Sequence, residues 1–201
     1  MEDYASDVLV LGIGNLLWAD EGFGVRCVET LAHGWAMPPR VRVMDGGTQG
    51  LYLLPYVQGA RRLIVFDAVD YGLPPGAVKL VEDDEVPRFM GAKKMSLHQT
   101  GFQEVIAAAA LTNQCPERML LVGVQPAQLE DYGGSLTPLV RARIGECISI
   151  ALSRLHAWGY APRRRGPVAG AASALALDRY EAERPSAEAA CRLGDLRFLG
   201  A

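Results

Sequence analysis

The sequence is short of the features that would take it out of the ordinary globular classes. Only four cysteines occur in 201 residues, Cys27, Cys115, Cys147 and Cys191, and no two of them form a CxxC pair. That dispersal excludes a zinc knuckle or a disulfide framework, and reduced thiols are the expectation. No apolar run approaches the roughly 18 residues needed to cross a bilayer, so no membrane insertion is expected. The first residues carry Glu2 and Asp3 and lack a basic stretch leading into an apolar core, so no signal peptide is read there and the cytoplasm is the expected location. Excess positive charge is absent too. The formal net charge is −3 and the pI about 5.6, which removes any general pull toward a phosphate backbone and argues against nucleic acid as a partner.

Two catalytic signatures are missing as well. GIGN at 12–15 opens like a dinucleotide fingerprint, but the third glycine of GxGxxG is replaced by Leu17. Ser96 precedes His98 by two residues without a GxSxG elbow around it. Cys27 sits in a helical pattern with nothing nearby to lower its pKa, which makes it a core residue rather than a nucleophile.

Half of the residues are apolar, enough for one well-buried core in a chain of this length. VLVLGIGN at 8–15, VRVMD at 41–45, RLIVFDAV at 62–69 and RMLLVGVQP at 118–126 read as buried strands. GFGVRCVETLAHG at 22–34 and TGFQEVIAAAALTN at 100–113 read as helices. LYLLPYVQ at 51–58 reads as a short helix broken near Pro55, and 137–158 as one long helix starting after Thr137 and Pro138. GAVKLVE at 76–82 alternates like an antiparallel edge strand, while 83–97 reads as an exposed charged loop that ends at His98. The order predicts an α/β fold: a single domain with a mostly parallel twisted sheet of about five strands and helices on both faces. The domain is placed at 1–161. Residues 162–201 begin with RRRGP, lack a sustained apolar face and read as a low-order extension; it nets +2, leaving −5 for the domain.

Carboxylates stand at three successive strand ends, as Asp20 and Glu21 after the first, Asp45 at the second and Asp67 with Asp70 at the third. In an open parallel sheet that edge is where ligands bind, because loops and helix N-termini converge there. Taken singly, Asp20 and Asp70 are as well explained as a cap and a turn former. Asp67 follows the apolar run LIVF, where an ionised carboxyl needs a cation or strong donors. Glu21, Asp67 and His98 together would offer two carboxylates and an imidazole, a set suited to zinc, nickel or iron with positions left open. His33 and His156 lie near helix ends and read as structural or exposed.

GIGNLLWADEGFGV at 12–25, DGGTQG at 45–50, LIVFDAV at 63–69, SLHQTG at 96–101, LVGVQP at 121–126 and LTP at 136–138 together resemble the nickel-iron hydrogenase maturation endopeptidases, in particular members serving uptake hydrogenases. The resemblance spans nearly all of residues 7–158. It implies an endopeptidase that removes a C-terminal extension from the hydrogenase large-subunit precursor once nickel has been inserted. The family's three metal-contacting positions carry over to Glu21, Asp67 and His98, and a position for substrate or nickel recognition to Asp45. Nickel would arrive with the substrate. The alternative of a different class is a nickel-binding chaperone or checkpoint protein that uses the same ligands and cuts nothing.

Overall fold

Long β-branched and leucine runs form the central strands, and they are buried on both sides as a parallel sheet requires. The computed structural model describes residues 4–90, 97–129 and 131–166 with Leu177, Arg179 and Tyr180, and describes side chains for the same residues except 88–90 and 97–101. In chain order the elements are β1 (Ser6–Ile13), α1 (Phe23–Gly34), β2 (Trp35–Ala36), β3 (Val41–Gly47), α2 (Leu54–Gln58), β4 (Ala60–Ala68), β5 (Val78–Glu82), α3 (Glu85–Met90), α4 (Leu97–Leu111), β6 (Arg118–Val124), α5 (Pro138–Arg141), α6 (Ile144–Ala157) and β7 (Arg163–Arg164). Single 3-10 turns cover Ala19–Gly22 and Gly50–Leu53.

Five strands form one sheet in the order β3-β1-β4-β6-β5, parallel except for β5, which runs antiparallel along the edge of β6. The predicted α/β architecture is therefore the one observed. Alternation along the strands sorts the core into two clusters. Val8, Val10, Ile64, Phe66, Val122 and Val124 face α1, α5 and α6, while Leu9, Leu11, Leu63, Val65 and Leu121 face α2, α3 and α4. The chain leaves β1 for β3 on one side and then returns to β4 on the other. The order thus reverses between β1 and β4, and a crevice opens at their carboxyl ends.

Several local readings change. Residues 83–97 are not one exposed loop: Glu85–Met90 is helical, because Val86 anchors the turn by full burial in the second cluster. The following helix starts at Leu97, so His98 lies in its first turn rather than in a loop. Pro55 does not break its helix. It occupies the first turn, where no backbone N–H is needed. The long C-terminal helix is divided, with Thr137 capping α5 through the N–H of Val140, and a tightened turn at Ala142 and Arg143 leading into α6. There the Arg143 N–H bonds the carbonyl three residues back, at Val140, instead of four. Arg163 and Arg164 pair antiparallel with Trp35 and Ala36, and Tyr180 lies with its ring 5.6 Å from the Arg26 guanidinium.

Candidate active site at the sheet switch point

The GIGNLLWADEGFG segment is folded over the end of β1 by glycines at closely packed positions. Gly14 adopts φ +139°, and a Cβ there would fall on the Glu21 carbonyl oxygen. Gly24, in the first turn of α1, has no room for a Cβ either, because the carbonyls of Phe66 and Ile13 press against it. The start of α1 is thereby drawn down between β1 and β4. The 3-10 turn that carries Glu21 rests at the same place.

Asp20 holds this turn to the opposite loop. Its carboxylate is fully buried and accepts from the N–H groups of Ala127 and Gln128 at 2.9 Å each, the N–H of Thr137 at 2.7 Å and the Thr137 hydroxyl at 3.1 Å. Charge-assisted bonds of this kind are the strong ones. Asp20 therefore acts as a clamp between the β1 loop and the 125–137 loop, a structural task that an acidic residue beside Glu21 did not reveal in the sequence. The Asn15 N–H bonds the Glu21 carbonyl and the Gly133 N–H bonds that of Leu17, which completes the frame.

Glu21 is 9% exposed, and burial pushes its carboxyl up to about 7. Asp67, at the end of β4, is fully buried. It lies between Phe66 and Ala68 of the α1 cluster and so points to the other face of the sheet, the side of α4. The C-terminal end of α4 is tied to the amino edge of the sheet, where Gln58 donates to Thr112 at 2.9 Å. A helix of 15 residues is about 22 Å long, so its first turn, with His98, reaches the carboxyl edge on the face that carries Asp67. The His98 side chain itself lies outside the described residues. Ser96 does so entirely.

Asp45 is placed differently. Strand alternation turns it to the α1 face, where Glu29 and Arg26 act on it, while Met44 packs on the α4 side. Desolvation of its carboxyl is the main influence and raises its pKa, partly countered by the Gly47 N–H. It stands at the same edge as Glu21 and Asp67 but on the opposite face from Asp67. Asp70 caps its own turn through the Gly72 N–H at 2.9 Å, as a turn former should.

The donors fit a cation in kind. Glu21 and Asp67 are carboxylates whose burial disfavours their charge, and a cation beside either relieves that cost. Among the described residues no group of three or more His, Cys, Asp or Glu side chains is gathered to hold an ion, and the third expected member, His98, is not among the described side chains. Cys27, Cys115 and Cys147 are free thiols whose pKa values are raised by burial, Cys147 to about 12, in keeping with core roles and no nucleophilic one.

Gln125 is a further organising residue that the sequence left unremarked. Its buried side chain accepts from the N–H groups of Tyr71 at 2.7 Å and Leu73 at 3.1 Å, and donates to Asp70 at 3.0 Å. The loop after Asp67 is fixed by it. LVGVQP was legible as a strand end, but the task of Gln125 depends on a loop 52 to 55 residues away.

The chain is similar to proteins of one kind throughout its length. The family profile described as hydrogenase maturation protease matches residues 25–154. The hydrogenase expression/formation protein HoxM of Cupriavidus necator is 56% identical over 197 residues, covering 96% of this chain and 98% of its own. HupM of Azotobacter chroococcum, a hydrogenase expression/formation protein, is 60% identical over 201 residues, with 99% and 96% covered. Among solved structures, the hydrogenase maturating endopeptidase HybD from Escherichia coli superposes with a TM-score of 0.74 at 38% identity, covering 79% of this chain and 97% of that one.

Proposed function

The chain belongs to the hydrogenase maturation protease family, and from that premise we propose that it cuts a C-terminal extension from the large-subunit precursor of a nickel-iron hydrogenase after nickel insertion. The observation that carries this reading is that Glu21 and Asp67 are both buried carboxylates, one in the turn after β1 and one at the end of β4, the two strands between which the sheet order reverses.

Glu21, Asp67 and His98 are the residues that would engage nickel carried in by the substrate. A divalent ion so held polarises a peptide carbonyl or a water molecule. The protein's own part is to position and to move a proton. Burial holds the Glu21 carboxyl up at about 7 while no cation is bound, and an arriving cation favours its ionised form, so the proton leaves Glu21 as nickel docks. Asp67, fixed on a central strand, supplies a charge whose position does not vary. Asp45, on the other face of the same edge, is suited to reading the substrate rather than to the chemistry. A precursor without nickel leaves the carboxylates without their counter-charge, so metal loading serves as the condition for cleavage.

Incubation of the purified protein with nickel-loaded precursor, followed by mass measurement of the precursor, tests the reading. Loss of a C-terminal peptide with nickel and no loss without it is the expected result. Glu21→Gln, Asp67→Asn and His98→Ala should each leave the precursor at full mass, and normal processing by all three variants would overturn the assignment. A chaperone that only binds nickel would leave the mass unchanged with the wild-type chain too.

A further inference from the structure

Tyr71 is buried beside the site and has no task in the scheme above. It follows Asp67 by four residues, and its backbone is held by the Gln125 side chain at 2.7 Å. The ring turns back over β6. A Cβ on Gly123 would fall on the Tyr71 hydroxyl, so the phenol fills the place where residue 123 has no side chain.

That place is chemically specific. Gly123 pairs with Asp67 on β4 and with Lys79 on β5. Residues so paired share a face, and the alternation of Phe66, Ala68, Val122 and Val124 toward α1 puts this row on the opposite, α4 side. Asp67, the Tyr71 hydroxyl and Lys79 therefore lie in a line across three strands, with the Lys79 ammonium 5.2 Å from the centre of the Tyr71 ring. The phenol oxygen and both Asp67 carboxylate oxygens are buried from solvent. Adjacent strands are about 4.8 Å apart, which puts one oxygen of a group engaged by Asp67 within hydrogen-bond reach of the phenol.

We propose that Tyr71 is a catalytic residue of this site, whose phenol O–H donates a hydrogen bond to the carbonyl oxygen of the scissile peptide bond as that oxygen gains negative charge. The inference rests on the endopeptidase reading. Glycine at 123 is what admits the phenol to this position. The donor is neutral and prepositioned, the kind of group that stabilises a developing oxyanion most at the transition state.

The test compares wild type, Tyr71→Phe and Gly123→Ala on nickel-loaded precursor, with kcat, KM and thermal melting measured for each. Phenylalanine keeps the ring and removes only the donor. The expected result is a kcat about 100-fold lower for Tyr71→Phe, the scale of losing one oxyanion donor, with KM and melting temperature close to wild type. Gly123→Ala, whose methyl displaces the phenol, should lower kcat in the same sense. Cleavage by Tyr71→Phe at the wild-type rate would overturn the proposal, as would a loss expressed only in melting temperature or KM. If Tyr71→Phe does not fold, Gly123→Ala decides by the same criteria. A wild-type chain that leaves the precursor uncut overturns the endopeptidase reading itself, and this inference with it, an outcome distinct from a wild-type chain that cuts as well as its variants.

Discussion

Glu21 and Asp20 are neighbours with the same kind of charge and opposite fates. The Asp20 carboxylate is surrounded by donors, whereas that of Glu21 is raised to about 7 chiefly because burial disfavours its charge. The sign of the consequence for stability follows from linkage. A carboxyl whose folded pKa lies above its unfolded value binds its proton more tightly in the native state, so its contribution is fully present below about pH 4.5 and is lost as the pH rises to about 7. The loss amounts to about 3 kcal/mol, at about 1.4 kcal/mol for each pH unit. Urea unfolding of the metal-free protein at pH 4.5 and pH 7.5 should show wild type losing that much relative to Glu21→Gln, whose side chain does not titrate. Equal changes in the two proteins would contradict the assignment. Asp20→Asn places an amide N–H₂ against donors that now meet an anion, and should cost about 2–3 kcal/mol by the same unfolding measurement. Because the clamp orients the next residue, precursor processing should fall with it.

The glycine contacts set the geometry of α1 against the sheet. A methyl at position 24 meets two backbone carbonyls, Phe66 and Ile13, and neither can turn aside without disturbing β1 or β4. Gly24→Ala should therefore destabilise the protein by about 3 kcal/mol, and a thermal melt checks it. A substitution at Gly34, which has open space around it, provides the contrast and should be nearly neutral. The elements whose sequence signal was clear share one property, a period sustained over the whole segment. β1, β4 and β6 are continuous apolar runs, and α1 repeats its apolar residues at helical spacing. Where a segment is short, the period cannot be read. α3 is six residues long and depends on the burial of Val86, and the division between α5 and α6 depends on two residues of tightened backbone that no pattern announces.

For the molecule as a whole, the core cluster on the α1 face ends with residues of α6 and has Trp158 and Tyr160 packed against it, while the cluster on the α4 face ends at Leu121 of β6. The short pairing of β7 with β2 follows, carried further by the Arg165 N–H on the Gly34 carbonyl. We propose that residues up to 166 suffice to fold. A chain truncated after Gly166 should keep a single cooperative melting transition and the far-UV circular dichroism of a mixed α/β protein; loss of the transition would place part of the core in the extension. Whether such a chain still processes the precursor separates a folding role for the extension from a recognition role, since Tyr180 approaches Arg26, the residue whose charge acts on Asp45. Among the described residues no helix is long and apolar enough to cross a membrane.

Residue order alone carried the strand and helix periods, the parallel character of the sheet and the carboxylates at the strand ends, because each of these is a local pattern or a direct consequence of element order. The motif pattern also pointed to the family. The placement of Asp45 on one face and Asp67 on the other, the clamp made by Asp20, the hold of Gln125 on the loop of Tyr71 and the phenol over Gly123 came only with the folded chain. The clamp, the hold of Gln125 and the phenol over Gly123 depend on contacts between segments 52 to 117 residues apart, and no local period encodes which distant backbone a side chain will meet. Glu21 and Asp67, first noticed as two acidic residues near strand ends, come to the same edge of the sheet because β1 and β4 are neighbours where its order reverses.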